Sequence, residues 1–354
     1  MSENEPQSAG HDARDDAGRI SFDALVEAIG STLIAAGASP PVAAILARNC
    51  ASCERDGALS HGVFRVPGYV RSLSSGWANG AAEPVVQRAG ASFIRVDAAD
   101  GFSQPALIAA EQEIAEAIGE TGVAVVAIRD SHHFSALWPD LEPFAADGLL
   151  GLTMVTGGAS VIPRGARREV LGTNPFAFAS PVAGGRPLVM DFATSTMSHG
   201  DLQLTAEAGR KVHLGTGTGR GGRDTDDPRE ILDEGGLLPF GGHKGLALSL
   251  MVEILASGLT GSAFSYQDDL VFAESPEDGG TARTGQLLIL IDPDRGAGGF
   301  AGRVAEFIAA LREAGLERLP ADHRYRARAE AGRTGIPVTP AIRELLAAAV
   351  SPRG

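Results

Sequence analysis

Short apolar runs of strand length recur through the middle of this chain, and regular βαβ alternation does not accompany them. The runs are "VAVVAIRD" after Gly122, "LLGLTMV" (149–155), "NPFAFASPV" (174–182), "PLVMDFA" (187–193) and "GQLLILIDP" (285–293). Between the later ones lie a glycine-rich span from Gly215 to Gly222 and one strong helical pattern, "GHKGLALSLMVEILASGLTG" (242–261). A doubly wound parallel sheet would alternate strand and helix throughout. Helical periodicity is instead concentrated at the two ends. Ser21 precedes a helix with Leu25, Ile29 and Leu33 on one face and Gly37 as its stop, and Ser39-Pro40-Pro41 opens a second. A third helix is predicted over Val66–Ser74, two short strands around a turn over 84–97, and one helix over "SQPALIAAEQEIAEAIGETG" (103–122). After residue 300, "FAGRVAEFIAALREAG" and "PAIRELLAAAV" read as amphipathic helices.

A chain of 354 residues is long enough for one large or two ordinary domains, and 44% hydrophobic residues suffice for a sizeable core. The net charge of −14 argues against nucleic-acid and anionic-membrane partners, which need a basic footprint. No apolar run approaches the ~20 residues of a membrane span. Residues 1–18 are polar and lack an apolar leader core, which predicts a disordered tail and a cytoplasmic protein. Cys50 and Cys53 form a lone C-x-x-C on helical spacing, and packing explains them better than a metal or redox role.

Two glycine patterns imitate a dinucleotide fingerprint. Gly217, Gly219 and Gly222 are followed by "RDTDDPRE", a turn rather than a helix. Gly296, Gly298 and Ala301 have a strand before and a helix after, but no returning strand with an acidic end. The polar clusters are more informative. "ALSHGVFR" places Ser60, His61 and Arg65 within six residues, "DSHHFSALWPD" holds His132 and His133, and "VLGTNPFAF" holds Thr173 and Asn174. "MDFATSTMSHGD" holds Asp191 and Asp201, and "FGGHKG" sets His243 and Lys244 at a helix start. Such a start, with two glycines and a lysine, suits an anion such as a pyrophosphate.

On the motifs "SHGVFRVPGY", "SHHF", "LGTNPFAF", "DFATS", "LLPFGGHKG" and "GQLLILIDP", the sequence resembles the malate/L-lactate dehydrogenase family of the non-Rossmann type, from about Ile20 to Tyr325. Within it, "SHHFSALWPDLEPFA", "SHGD" and "GLERLPADHRY" are most similar to the branch that reduces cyclic imines; the keto-acid branch reads "SNHFG" and carries Gly-Lys where this chain has Gly200-Asp201. The resemblance implies an α/β (α+β) fold with a central, mostly antiparallel, non-Rossmann nicotinamide-binding domain over residues 121–300. A helical domain from both chain ends, 19–120 plus 301–354, would carry dimerisation and substrate binding. It implies His61 as proton donor, Ser60 and Asp201 as its relay, and Arg65 and Thr173 as substrate ligands. His133, Phe134, Ser135, Ala136, Leu137, Asp191, Phe192, Ala193, His243, Lys244, Arg318 and Arg324 would line the cofactor, NADPH with NADH as the alternative. A homodimer without a metal is implied.

These residue types suit that chemistry. Reducing a cyclic imine needs hydride on carbon, which a nicotinamide supplies, and a proton on nitrogen, which histidine can deliver near neutral pH. A planar guanidinium pairs with the ring carboxylate in bidentate fashion. Ser60 lacks the G-x-S-x-G elbow of a hydrolase nucleophile. The expected reaction is reduction of Δ1-piperideine-2-carboxylate to L-pipecolate and Δ1-pyrroline-2-carboxylate to L-proline. A 2-oxo acid dehydrogenase and a non-catalytic nucleotide-binding protein are the alternatives.

Overall fold

The computed structural model describes residues 18–267 and 281–350. Residues 1–17 of the expected tail and most of segment 266–284 lie outside the described residues, while the Gly18 carbonyl accepts the Val338 N–H at 3.0 Å. The chain enters through strand β1 (Arg19–Ile20), then helices α1 (Phe22–Ala35), α2 (Pro40–Arg55) and α3 (Val66–Ser74). Ser21 caps α1 by accepting the Ala24 N–H at 3.2 Å, and Pro40 and Pro41 occupy the first turn of α2, where no intrahelical donor is needed.

The sheet begins with β2 (Val85–Arg88) and β3 (Phe93–Phe102). The helix expected across 103–122 is two, α4 (Ser103–Ala109) and α5 (Glu111–Thr121), because Ala110 turns out of helical geometry at φ −91° and ψ −1°. They carry the chain over to β4 (Val123–His132), which pairs with β3 in parallel and therefore needs such a crossover. Helix α6 (Trp138–Ala146) follows, then β5 (Leu150–Val155), β6 (Phe176–Ser180) and β7 (Leu188–Phe192). Next come α7 (His199–Glu207), a small sheet of β8 (Gly217–Thr218), β9 (Asp224–Thr225) and β10 (Gly236–Leu237), with α8 (Pro228–Glu234) between the last two. Helix α9 (His243–Val252) continues as a π-helix over Glu253–Gly258, so the long helix expected from 242 changes pitch half-way. Strand β11 (Arg283–Ile291), α10 (Phe300–Glu313), α11 (Asp322–Thr334), β12 (Ile336–Pro337) and α12 (Pro340–Val350) complete the order.

The large sheet runs β2-β3-β4-β11-β5-β6-β7, and every pairing but β3–β4 is antiparallel. Its central strands read as continuous apolar runs because both faces are covered. On one side Ile94, Val126, Ile128 and Leu288 pack with Ile114 of α5 and Leu141 of α6; on the other Met154 and Leu287 meet Val252 and Ala256. Since β11 is antiparallel to both neighbours, the Gly296–Gly298–Ala301 pattern does not sit in a βαβ unit. The sheet takes β2 and β3 from ahead of residue 120, so that expected domain boundary does not coincide with a sheet edge.

Both chain ends build one helical body. Leu25, Ile29, Leu33, Leu46 and Tyr69 pack with Ile342 and Leu345 of α12, and β1 pairs with β12. Each such buried side chain contributes roughly 1.5–3 kcal/mol. Cys50 belongs to this core and Cys53 to the sheet core; both are free thiols, and burial pushes the Cys53 thiol up to about 12. No helix among the described residues is long and apolar enough to cross a membrane.

Candidate functional site

The helical body and the sheet enclose a cavity of about 930 Å³. Its walls are the segment after α2 (Gly57 to His61), the β4–α6 connection (Ser135 to Trp138), Thr173, the end of β7 with its following turn, the first turns of α7, the stretch Arg210 to His213, and His323–Arg324. Of the residues singled out in the sequence, Ser60, His61, Thr173, Ser135, Ala136, Leu137, Asp191, Phe192, Ala193, Asp201 and Arg324 all line it.

Ser60 and His61 lie on a short 3-10 turn, with Ser60 Oγ 2.9 Å from His61 Nδ1. Glu54 holds the next turn by accepting the Val63 N–H at 2.9 Å. Gly62 makes that approach feasible, since a Cβ there would fall 2.1 Å from Glu54 Oε2. Arg65 stands behind the pair, its guanidinium 4.4 Å from the centre of the Phe134 ring. Its Nε is buried without a hydrogen-bond partner, and among the described residues no carboxylate forms an ion pair with it. A half-buried guanidinium with an unanswered Nε suits an anion from outside. Burial, Arg65 and then His133 push His61 down to about 3.

Asp201 faces the same cavity but not the relay expected of it. Its carboxylate accepts the Ser198 hydroxyl at 2.8 Å, while Ser198 Oγ accepts the Asp201 N–H and caps α7. Among the described residues, no hydrogen bond joins Asp201 to Ser60 or His61. Asp191 accepts the Leu137 and Trp138 N–H groups, both at 2.9 Å, and so caps α6 at the cavity wall. Burial raises its pKa, against the backbone donors and Arg324. Asn174, at φ 44°, fixes the turn carrying Thr173 by donating to Ser249 Oγ at 3.0 Å and Glu253 Oε1 at 2.8 Å.

Six of the singled-out residues stand off the lining. Arg65 and Phe134 lie just behind it, as described. The His133 ring is buried with Nε2 2.9 Å from Asp140 Oδ2, an oxygen that also accepts from Gln286 at 2.8 Å. His243 and Lys244 are exposed at the start of α9, beside the wall segment: the nearby Phe240 N–H donates to Thr194 O at 3.0 Å. Arg318 is exposed ahead of α11.

The malate/L-lactate dehydrogenase family profile matches residues 20–347. The chain belongs to the malate/L-lactate dehydrogenase family. It is 52% identical over 328 residues to the Δ1-pyrroline-2-carboxylate/Δ1-piperideine-2-carboxylate reductase of Pseudomonas syringae pv. tomato, covering 92% of this chain and 95% of that protein. The Pseudomonas putida reductase of the same name is 48% identical, over 91% of this chain and 94% of its own. The crystal structure of a Δ1-piperideine-2-carboxylate reductase from P. syringae pv. tomato superposes with a TM-score of 0.90 at 51% identity, covering 94% of this chain and all of that one (100%).

Members of a dehydrogenase family move hydride, so a nicotinamide cofactor is implied. The cavity fits such a group in kind. Trp138 Nε1 is a buried donor without a partner, and the buried Arg324 guanidinium donates to Val189 O at 3.0 Å and lies 5.5 Å from the Trp138 ring centre. Several wall residues carry no signal in the sequence: Trp138, Met197, Leu204, Arg210, Lys211 and His213. Single side chains of this kind carry no local spacing signal, and only the closure of the fold brings them together.

Proposed function

We propose that this protein reduces cyclic 2-imino acids, Δ1-piperideine-2-carboxylate to L-pipecolate and Δ1-pyrroline-2-carboxylate to L-proline, with NADPH as hydride donor. The observation that carries this is Arg65 beside the Ser60–His61 pair, with its Nε buried and without a hydrogen-bond partner and no ion pair to it among the described residues. A ring carboxylate would answer the guanidinium and bring the adjacent C=N bond to the imidazole. The names of the P. syringae and P. putida relatives support the same substrates. The nicotinamide supplies hydride to the imine carbon when bound. His61 delivers the proton to the ring nitrogen, and Ser60 holds the imidazole through Nδ1, with Asp201 at the same wall. Thr173 completes the substrate end. Ser135 to Leu137, Asp191 to Ala193 and Arg324 face the cofactor, with His133 and Phe134 behind them. His243, Lys244 and Arg318 would meet its outer parts, and the arginines would favour the 2′-phosphate of NADPH. The active form is proposed to be a homodimer in the cytoplasm.

Two variants test the assignment. His61→Ala is expected to lower kcat by about 10²–10⁴-fold with NADPH affinity kept. Arg65→Gln is expected to raise the imino acid KM by at least about tenfold, the loss of one charge-assisted contact. Unchanged turnover in the first, or unchanged KM in the second, would overturn the respective role.

A further inference from the structure

Helix α7 carries a glycine, Gly200, in its first turn, where glycine costs helix stability and alanine would serve the helix better. The reason is visible around it. A Cβ on Gly200 would lie 2.5 Å from Arg65 Nη2, 3.0 Å from the Ser60 carbonyl oxygen and 3.1 Å from Ser60 Cβ. The helix start is therefore pressed against both members of the Ser60–Arg65 segment at once. The neighbours of Gly200 take part too. His199 lies close enough to the guanidinium that, after burial, Arg65 is the main influence pushing it down to about 4. Asp201 contributes an attractive charge to Arg65 without bonding it.

We propose that Gly200 is a positioning residue for the substrate clamp: the bare backbone of α7 sets where the Arg65 guanidinium stands relative to Ser60 and His61. Of the three close contacts, only Arg65 Nη2 is the free end of a flexible side chain; Ser60 is held by its own backbone turn. An added methyl group would therefore displace the guanidinium most, while the Ser60 carbonyl would have to give by a few tenths of an ångström. The inference rests on the reading that Arg65 holds the substrate.

The test is a double-mutant cycle of Gly200→Ala and Arg65→Lys, read by KM for Δ1-piperideine-2-carboxylate, by the Kd of the unreactive planar analogue pyrrole-2-carboxylate, and by NADPH Kd from fluorescence. Gly200→Ala alone should raise the imino acid KM and the analogue Kd by about tenfold or more, with NADPH Kd within about twofold and the cooperative melting transition kept. In the Arg65→Lys background, whose side chain lacks Nη2, the same alanine should add about twofold or less. A merely structural role predicts the opposite pattern: altered melting with KM unmoved, or equal effects in both backgrounds, and either would overturn the proposal. If Arg65→Lys itself leaves KM unchanged, the Arg65 assignment fails, which is a separate outcome. Should Gly200→Ala not fold, Gly200→Ser in the same cycle keeps the comparison, and additivity there would count against the proposal.

Discussion

In the proposed mechanism His61 gives up a proton in surroundings that oppose its holding a charge. Burial comes first, the Arg65 charge second and His133 third, and together they depress its pKa to about 3. A substrate carboxylate paired with Arg65 would cancel the second of these and bring the imidazole nearer to working range. Removing the arginine charge should act in the same direction. In Arg65→Gln, the His61 pKa read by NMR of labelled imidazole is expected to move upward from the wild-type value, because a positive neighbour no longer penalises the imidazolium; an unmoved or lower value would contradict the account. The sequence already made Ser60, His61 and Arg65 a group, since three polar side chains within six residues, on two successive 3-10 turns, are forced into proximity. Gly200 was not legible in the same way. A glycine in a sequence does not say which distant side chain occupies the space that its missing Cβ leaves.

At the scale of elements, the cavity walls are joined by one cation. Arg328 on α11 donates from Nη2 to Asp56 Oδ2 at 2.6 Å and to Glu142 Oε2 at 2.8 Å. Asp56 ends α2 just before the Ser60–His61 turn, Glu142 lies on α6 behind Leu137 and Trp138, and α11 itself carries His323 and Arg324. Asp56 is 0% exposed, so losing Arg328 leaves a buried carboxylate with Arg55 as its remaining partner. Arg328→Met is expected to cost roughly 2–3 kcal/mol of unfolding free energy in urea titration and to weaken NADPH and imino acid binding together. A change under about 0.5 kcal/mol would show that the bridge is incidental. Helix α11 went unread in the sequence for the same reason that this bridge matters. Its segment is strongly charged, Arg324 is its only buried residue, and it is held by ion pairs rather than an apolar stripe. By contrast, α1 and α2 were plain from Leu25, Ile29, Leu33 and a proline start. The split of α4 from α5 and the π-helix after α9 escaped notice because the apolar pattern continues through both.

For the molecule as a whole, the depressed histidines couple stability to pH. His132 is fully buried, with Thr281 Oγ1 2.8 Å from Nδ1, and burial followed by Arg283 lowers its pKa to about 4. The unfolded chain then binds more protons than the folded one between about pH 6.5 and about pH 4, so stability is present above pH 6.5 and is lost progressively down to pH 4. Compared with His132→Gln, the wild type should lose on the order of 3 kcal/mol more between pH 7 and pH 4 in urea titrations; parallel pH curves would contradict this. Sedimentation should give twice the 36.4 kDa chain mass if the proposed dimer forms, and Ile254 (62% exposed) and Leu250 (47%) on the outer side of α9 and its π-helical continuation are uncovered apolar side chains that a second copy could bury. The strand-rich middle between two helical ends was legible from the apolar runs and the lack of βαβ alternation, and the mostly antiparallel order came from the family resemblance. The branch was legible too, through His133 and Asp201 in motifs similar to those of the cyclic imine reductases, and the relatives at 52% and 48% identity carry that name; what the sequence left open is the choice between NADPH and NADH. Loss of reduced-nicotinamide absorbance decides it, with Δ1-piperideine-2-carboxylate, Δ1-pyrroline-2-carboxylate, pyruvate and oxaloacetate each offered with NADPH and with NADH. The account predicts turnover of both imino acids, faster with NADPH, and little on the oxo acids; turnover of the oxo acids alone would contradict it.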